Sequence, residues 1–343
     1  MEYVEFPNLF SGEIPVNRIA FSIFGFNVYW YALIIGLGIL LAGIYCTKRG
    51  RKYGITGDDV FDAIFYGGIA GFIGARASYC IFWNLNPANE KKFTFLTAIT
   101  EIHEGGLMIY GGIVAAVLVG ILVLKKKKTP ALPLLDMGGT GFLIGQGIGR
   151  WGNFVNQECF GSPTAGNLPW GMTGTTIARY PEVIAAQEAL PNGEYALVHP
   201  CFLYESLWCA LGFILIHFFL SKIQTFDGEL FLYYIIWYGT GRGFIEGLRT
   251  DSLYLGPLRV SQLIGFASAI FCLILLIYFK IKVKNSKTYV RWKDTDEWKE
   301  KEKKYYFAIK VENETQKAYK AMKKAEKTEE IAPSILDDGD KNE

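Results

Sequence analysis

Seven segments of this chain, roughly 22–46, 60–83, 106–124, 131–150, 201–221, 229–248 and 260–282, are predominantly apolar. Each is close to the ~20 residues that a helix needs to cross the hydrocarbon core of a bilayer. A chain in lipid must satisfy its backbone N–H and C=O groups internally, so runs of this length are read as helices. The pattern therefore predicts an all-α membrane protein, a bundle of about seven transmembrane helices. The fourth and sixth segments are interrupted by glycine and charge, which softens their limits.

Basic residues set the expected orientation. Lys48, Arg49, Arg51 and Lys52 follow the first segment, Lys125 to Lys128 the third, Lys222 the fifth, and Lys280, Lys282 and Lys284 the seventh. By the positive-inside rule these exits are cytoplasmic, although Lys91 and Lys92 after the second segment run against it. The N-terminus and the stretch 151–200 then face outward. That stretch, with Arg179 as its single Lys or Arg, is rich in Gly, Pro and Thr and too long for a bare loop. It is expected to form a small external subdomain over the transmembrane domain, 1–282. Residues 283–343 mix Lys and Glu at helical spacing and form a charged cytoplasmic tail, helical or disordered. Residues 1–17 carry Glu2, Glu5 and Glu13, with no basic region and no small-residue cleavage site after them, so they do not read as a signal peptide.

Other classes find little support. A net charge of +2 and the lack of a basic-aromatic stripe argue against nucleic acid as a partner. Six scattered cysteines show no spacing for a zinc site, so no metal is expected. Cys159 and Cys201 flank the same external stretch, but spacing alone does not bring them to disulfide distance and no pair is expected. The echo of "YGGIAG" at Tyr66 in "YGGIVA" at Tyr110 reads as a shared packing need rather than a transporter repeat.

The polar residues inside the apolar segments carry the functional information. Gly141, Gly145 and Gly149 recur every four residues and offer a groove to a neighbouring helix. Arg150 follows directly, then Asn153, Asn156, Gln157 and Glu158. Unpaired amides in hydrocarbon are costly, so such a cluster implies a satisfied network or a wet cavity, and with it a polar head group. In "WYGTGRGFIEGLR", Tyr238, Arg242, Glu246 and Arg249 fall at steps of four, four and three, on one helical face. Arg242 and Glu246 can neutralise each other, which leaves Arg150 and Arg249 surplus for an anion. Glu205, inside the apolar "HPCFLYESLW", needs a partner; His199 in the same stretch is expected to cap or bridge. Arg76 is either a further contributor or a snorkelling anchor. His217 is expected to be incidental.

The stretch Gly149 to Gly161, "GRWGNFVNQECFG", resembles the signature of the prolipoprotein diacylglyceryl transferase family: Gly-Arg-x-Gly/Ala-Asn-Phe, an aliphatic residue, Asn-x-Glu, two free positions and Gly. "WYALIIG" from Trp30, "EGGLMIYGG", "LPWG" from Leu168, "HPCFLYE" from His199 and "YGTGRGFIEGLR" from Tyr238 also follow the family order, over about residues 15–282. Two departures stand out. Tyr110 occupies the place where many members have a histidine proposed to be catalytic, and Ala32 replaces a usual glycine.

The resemblance implies a bacterial cytoplasmic-membrane enzyme that moves the diacylglyceryl group of phosphatidylglycerol onto the lipobox cysteine of a preprolipoprotein. A thioether forms and glycerol phosphate leaves; no cofactor is implied, and the partners are phosphatidylglycerol, the signal peptide and membrane lipids. For that reaction Arg150, Arg242, Tyr110 and Glu158 are the expected catalytic residues. Arg150, Asn153, Asn156, Tyr31, Tyr238, Glu246, Arg249 and Glu205 are expected to contact substrate. A transporter, or a scaffold that only binds lipid, is the rival reading of the same buried charge.

Overall fold

The computed structural model describes residues 2–85, 89, 91–101, 106–164, 168–191, 196–250, 254–255, 257–286 and 288–336, without the side chains of 109–110, 254–255 and 324–336. It divides into two compact units, residues 1–292 and 293–343.

The first unit opens with strands β1 (Glu2–Glu5), β2 (Ile14–Val16), β3 (Ile19–Ile23) and β4 (Phe26–Tyr29). Helices α1 (Trp30–Tyr53), α2 (Gly57–Leu85), α3 (Phe95–Thr100), α4 (Ile109–Lys126) and α5 (Ala131–Asn156) follow. Short strands β5 (Pro163–Thr164) and β6 (Thr173–Gly174), helix α6 (Pro181–Glu188) and strand β7 (Leu197–Val198) lead to α7 (Cys201–Ile214). Helix α7 continues through a π-turn at Leu215–Phe219 and a 3₁₀ turn at Leu220–Lys222. Helix α8 (Glu229–Glu246), the pair β8 (Tyr254–Leu255) and β9 (Leu258–Arg259), and α9 (Val260–Asn285) complete the unit.

Each of the seven expected segments overlaps a helix. Those at Trp30–Tyr53, Gly57–Leu85, Cys201–Lys222 and Val260–Asn285 are long and apolar enough to cross a bilayer by composition alone. Helices α4, α5 and α8 pack among them: α2 on α4, α1 on α5, α5 on α7 and α8, and α8 on α9. Glycine permits the closest approaches. A Cβ on Gly38 of α1 would lie 3.1 Å from the Gly145 carbonyl of α5, and one on Gly141 would lie 2.8 Å from Cys46 Sγ. Gly149 faces open space, so the groove expected from three glycines is built from two. The two echoed glycine segments pack against each other, with Gly71 and Gly74 of α2 facing Gly112 and Gly111 of α4.

Two helix boundaries that differ from the sequence expectation have a clear local cause. Residues 22–29 form part of a β-hairpin rather than the start of α1, because Phe24 and Gly25 take positive φ (51° and 83°) and reverse the chain. Helix α8 stops at Glu246, where Gly247, Leu248 and Arg249 N–H groups bond back to Phe244, Ile245 and Glu246 carbonyls in a tightened turn.

The stretch after α5 has its own hydrophobic core, in which Phe160, Met172, Ile177, Val183, Ala196 and Val198 surround Val4, Phe6 and Val16. The N-terminal strands belong to it: β1 pairs antiparallel with both β2 and β6. This contribution of residues 2–16 is absent from the boundary drawn at 151–200. Gln157, left-handed at φ 53°, ends α5 and ties it to this layer, accepting from Thr176 N–H (2.9 Å) and donating to Thr175 Oγ1 (3.3 Å).

The first unit also extends past the expected tail boundary at 283. Trp292 donates its indole N–H to the Gly54 carbonyl (2.7 Å) and its backbone N–H to Asp227 (2.7 Å), while Arg291 donates to the Gln224 carbonyl. The second unit is dominated by helix α10 (Asp296–Leu336). Its surface carries i,i+4 pairs such as Glu300–Lys304 (2.6 Å) and Lys310–Glu314 (3.9 Å).

Candidate active site

The C-terminal end of α5 presents Arg150 toward α7, and α8 presents Arg242 toward the same point. Both meet Glu205. Arg150 Nη2 lies 2.7 Å from Glu205 Oε2, and Arg242 Nη1 lies 2.8 Å from Oε1. Arg242 extends its other terminal nitrogen to Glu246, one helical turn on, at 2.6 Å. Arg249, delivered by the turn beyond α8, lies 3.6 Å from Glu205 and 3.9 Å from Glu246. The carboxylates are sealed, with 5% of the Glu205 side chain and 2% of Glu246 exposed, whereas 19% of each of Arg150 and Arg242 remains accessible. Among the described residues, three guanidinium groups thus share two carboxylates. A guanidinium has five N–H donors in a planar fork, so the cluster retains donor capacity for an anion that reaches its open side.

The amide cluster completes one wall. Asn153 Oδ1 accepts from Arg150 Nη1 (3.3 Å), and its Nδ2 donates to Glu158 Oε1 (2.9 Å) and to Cys159 Sγ (3.6 Å). Asn156 donates to the same Glu158 oxygen at 3.3 Å. Glu158 meets Arg150 through Asn153, whereas Glu205 and Glu246 make the ion pairs. Tyr31, in the first turn of α1, packs its ring on Gly152, where a Cβ would come within 2.8 Å of Cδ2. Tyr238 stacks on Tyr234 (5.9 Å, 15° between planes), whose hydroxyl accepts from Gln146. Gly161 has no room for a side chain, since a Cβ would meet His199 Cβ at 2.7 Å and Cys201 Sγ at 2.9 Å. It pairs across a β-bridge with Arg249, and Ser162 N–H bonds the Leu248 carbonyl, so the signature loop holds the turn that places Arg249.

Other expectations separate from this cluster. Arg76 fastens α3 and its flanks to α2: it donates to the carbonyls of Ala98 (2.8 Å) and Gly106 (3.1 Å) and lies over the Phe93 ring. His199 bridges to the Tyr204 hydroxyl (3.1 Å), which accepts from Trp170, and burial pushes its imidazole below the ordinary histidine range. His217 is not incidental: Tyr45 and Arg49 contact its two ring nitrogens at 2.8 and 3.0 Å. None of the six cysteines forms a disulfide. Tyr110 lies in the first turn of α4, and its side chain falls outside the described residues. Arg259 was missed; it donates to the Glu246 carbonyl at 2.5 Å, from a strand with no helical spacing to advertise it.

These features define a membrane protein that buries an arginine–carboxylate cluster at one end of a glycine-packed helical bundle. The sequence model of the prolipoprotein diacylglyceryl transferase family matches residues 18–278, and the chain belongs to that family; it is a membrane transferase. It is 39% identical over 269 residues to the phosphatidylglycerol–prolipoprotein diacylglyceryl transferase of Finegoldia magna, covering 78% of this chain and 98% of that protein. The enzymes of the same name from Bacillus cereus (strain G9842) and Bacillus mycoides (strain KBAB4) are each 39% identical over 268 residues, 78% of this chain and 93% of theirs.

Proposed function

We propose that this chain transfers the diacylglyceryl group of phosphatidylglycerol to the lipobox cysteine of preprolipoproteins, at the outer face of the bacterial cytoplasmic membrane. The observation that carries this reading is the convergence of Arg150 and Arg242 from separate helices on Glu205. Displacement at the glyceryl carbon needs a thiolate, an oriented carbon and a stabilised phosphate leaving group. The cysteine sulfur bonds to that carbon as its bond to the phosphate oxygen breaks, and the electron pair leaves with glycerol phosphate. A phosphodiester is already anionic and matches guanidinium forks bidentately. Arg150 and Arg242 hold it, Glu205 and Glu246 fix their planes, and Arg249 adds positive potential. In a water-poor site that potential also favours the thiolate of a cysteine whose ordinary pKa is about 8.5. Asn153 and Asn156, fixed through Glu158, offer the site's wall to glycerol oxygens, and Tyr31 and Tyr238 line its approaches. Tyr110 orients substrate or takes the thiol proton as a phenolate tuned by the arginines, in place of the imidazole of other members.

Basic residues at the ends of α1, α4, α7 and α9 support an orientation with those ends in the cytoplasm and the N-terminus and site outside. The test is incubation of the purified protein with phosphatidylglycerol and a lipobox peptide, read by peptide mass. A gain of one diacylglyceryl group is expected, together with free glycerol phosphate. An unmodified peptide overturns the proposal, and lipid flux without chemistry would make the chain a transporter.

A further inference from the structure

The hairpin of β3 and β4 has no task in this reaction. Register pairs Phe21 with Val28, Ser22 with Asn27 and Ile23 with Phe26. Side chains alternate across a strand, so Phe21, Ile23, Phe26 and Val28 share one face, and Ser22 and Asn27 bond to each other on the opposite one (2.6 Å). The apolar face is bare: Phe26 is 78% exposed and Phe24, at the turn, 97%. A two-stranded hairpin alone is marginal in water and needs an apolar partner.

We propose that this partner is the phospholipid bilayer, and that the hairpin lies in the membrane interface with Phe24 at its leading tip. Three observations select lipid over a protein occupant. From Ile19 to Thr47 no residue is charged, so the hairpin and α1 as far as Thr47 form one uncharged, mostly apolar run. The hairpin is continuous with α1, a helix apolar enough to cross the bilayer, and Trp30 N–H bonds the Arg18 carbonyl to close the hairpin onto its first turn. Tyr29 and Trp30 at that junction are half-exposed aromatics of the kind that sit at head-group level.

The turn adds an argument of its own. Both central residues have positive φ, as a type I′ turn requires, and Gly25 suits that conformation whereas Phe24 does not. A bulky ring held there 97% exposed is explained by what it reaches outside the protein. The base is fixed from the other side, where Arg18 donates to Thr176 Oγ1 (3.1 Å) and pairs with Glu2 (3.5 Å). Because Tyr31 packs on Gly152, the wedge enters at the same end of the bundle as the arginine cluster. It rests on the membrane setting alone and stands or falls independently of the transfer reaction.

The experiment uses the full chain in phosphatidylcholine–phosphatidylglycerol nanodiscs with a photoreactive benzophenone amino acid in place of Phe24, and the same group in place of Phe10 as reference. Illumination followed by mass spectrometry should give phospholipid adducts at position 24 and few at position 10. Adducts at 24 confined to protein, or moving to an added lipobox peptide, would overturn the proposal and make the hairpin a peptide dock. The unaltered protein supplies a second reading through hydroxyl-radical oxidation in the same nanodiscs. Phe10 is 46% exposed, so a water-facing Phe24 should oxidise more than Phe10, and a lipid-inserted one severalfold less.

Discussion

Where α8 begins, Asp136 of α5 accepts from Gln224 Nε2 (2.7 Å) and from the backbone N–H groups of Gly228 (2.7 Å) and Phe231 (3.0 Å). Beside it Glu229 accepts from Thr225 N–H (2.5 Å) and its hydroxyl (2.7 Å) and from Phe226 N–H (3.3 Å), and pairs with Lys280 at 3.0 Å. At the far end of α5 and α8, Glu205 and Glu246 are equally buried but face guanidinium groups instead. The donors around Asp136 are mostly backbone and fixed by the fold, so they spend their capacity on holding loops to helix ends. The donors around Glu205 are long cationic side chains, and among the described residues Arg150 and Arg242 keep 19% of their side-chain surface accessible. The first arrangement fastens structure; the second leaves part of two guanidinium groups accessible.

The largest departure should follow from removing the hub itself. Glu205→Ala leaves Arg150 without its ion-pair partner and Arg242 and Arg249 with Glu246 alone, and breaking a buried ion pair from one side costs about 3–5 kcal/mol. Thermal unfolding in detergent should show the loss, and peptide mass should show no turnover. A variant with wild-type melting and turnover would mean that Glu205 does not organise the arginines.

Arg150→Lys comes next and separates charge from geometry. It keeps the positive charge but not the fork, so kcat/KM should fall by about 10²–10³, the usual toll of one lost transition-state donor. Melting should move little, because Glu205 keeps Arg242. Full activity in this variant would reduce the phosphate clamp to a general field effect.

The sequence made much of this end readable and little of the other. Arg150, Asn153 and Glu158 stand in one short motif, and Arg242 and Glu246 at helical spacing, so local periodicity sufficed. Glu205 was legible as a buried acid in need of a partner, but that partner comes from two other helices, which spacing within α7 cannot encode. Arg249 was assigned to a helical face although α8 ends at Glu246; its place depends on the pairing of Gly161 with the turn, a long-range contact. At the opposite end Asp136 gave no signal, since the backbone groups that surround it carry no side-chain signature. The N-terminal hairpin was hidden for a related reason, because a run of apolar residues fits helix or strand until Phe24–Gly25 is known to turn.

Asp136→Asn tests the fastening side of the comparison. One carboxylate oxygen becomes an NH₂ group facing N–H donors, and an unsatisfied buried donor costs about 1–3 kcal/mol. The expected result is a lower melting temperature with unchanged turnover per folded molecule. A drop in kcat without a drop in stability would show that the two ends are coupled through α5 or α8.

The smallest effect belongs to Trp292→Phe. Gly54 ends α1 in the left-handed conformation (φ 78°), and its carbonyl accepts from the Trp292 indole at 2.7 Å. Phenylalanine keeps a ring in the buried position but has no donor. The backbone N–H of residue 292 retains its bond to Asp227, so a single hydrogen bond is removed, worth about 0.5–1.5 kcal/mol. Differential scanning of wild type and variant should resolve that shift, and diacylglyceryl transfer to the peptide should be identical in both. Turnover that falls with the bond would mean that the clasp at Arg291 and Trp292 reports to the arginine site, so the fastening end would no longer be separable from the reacting one.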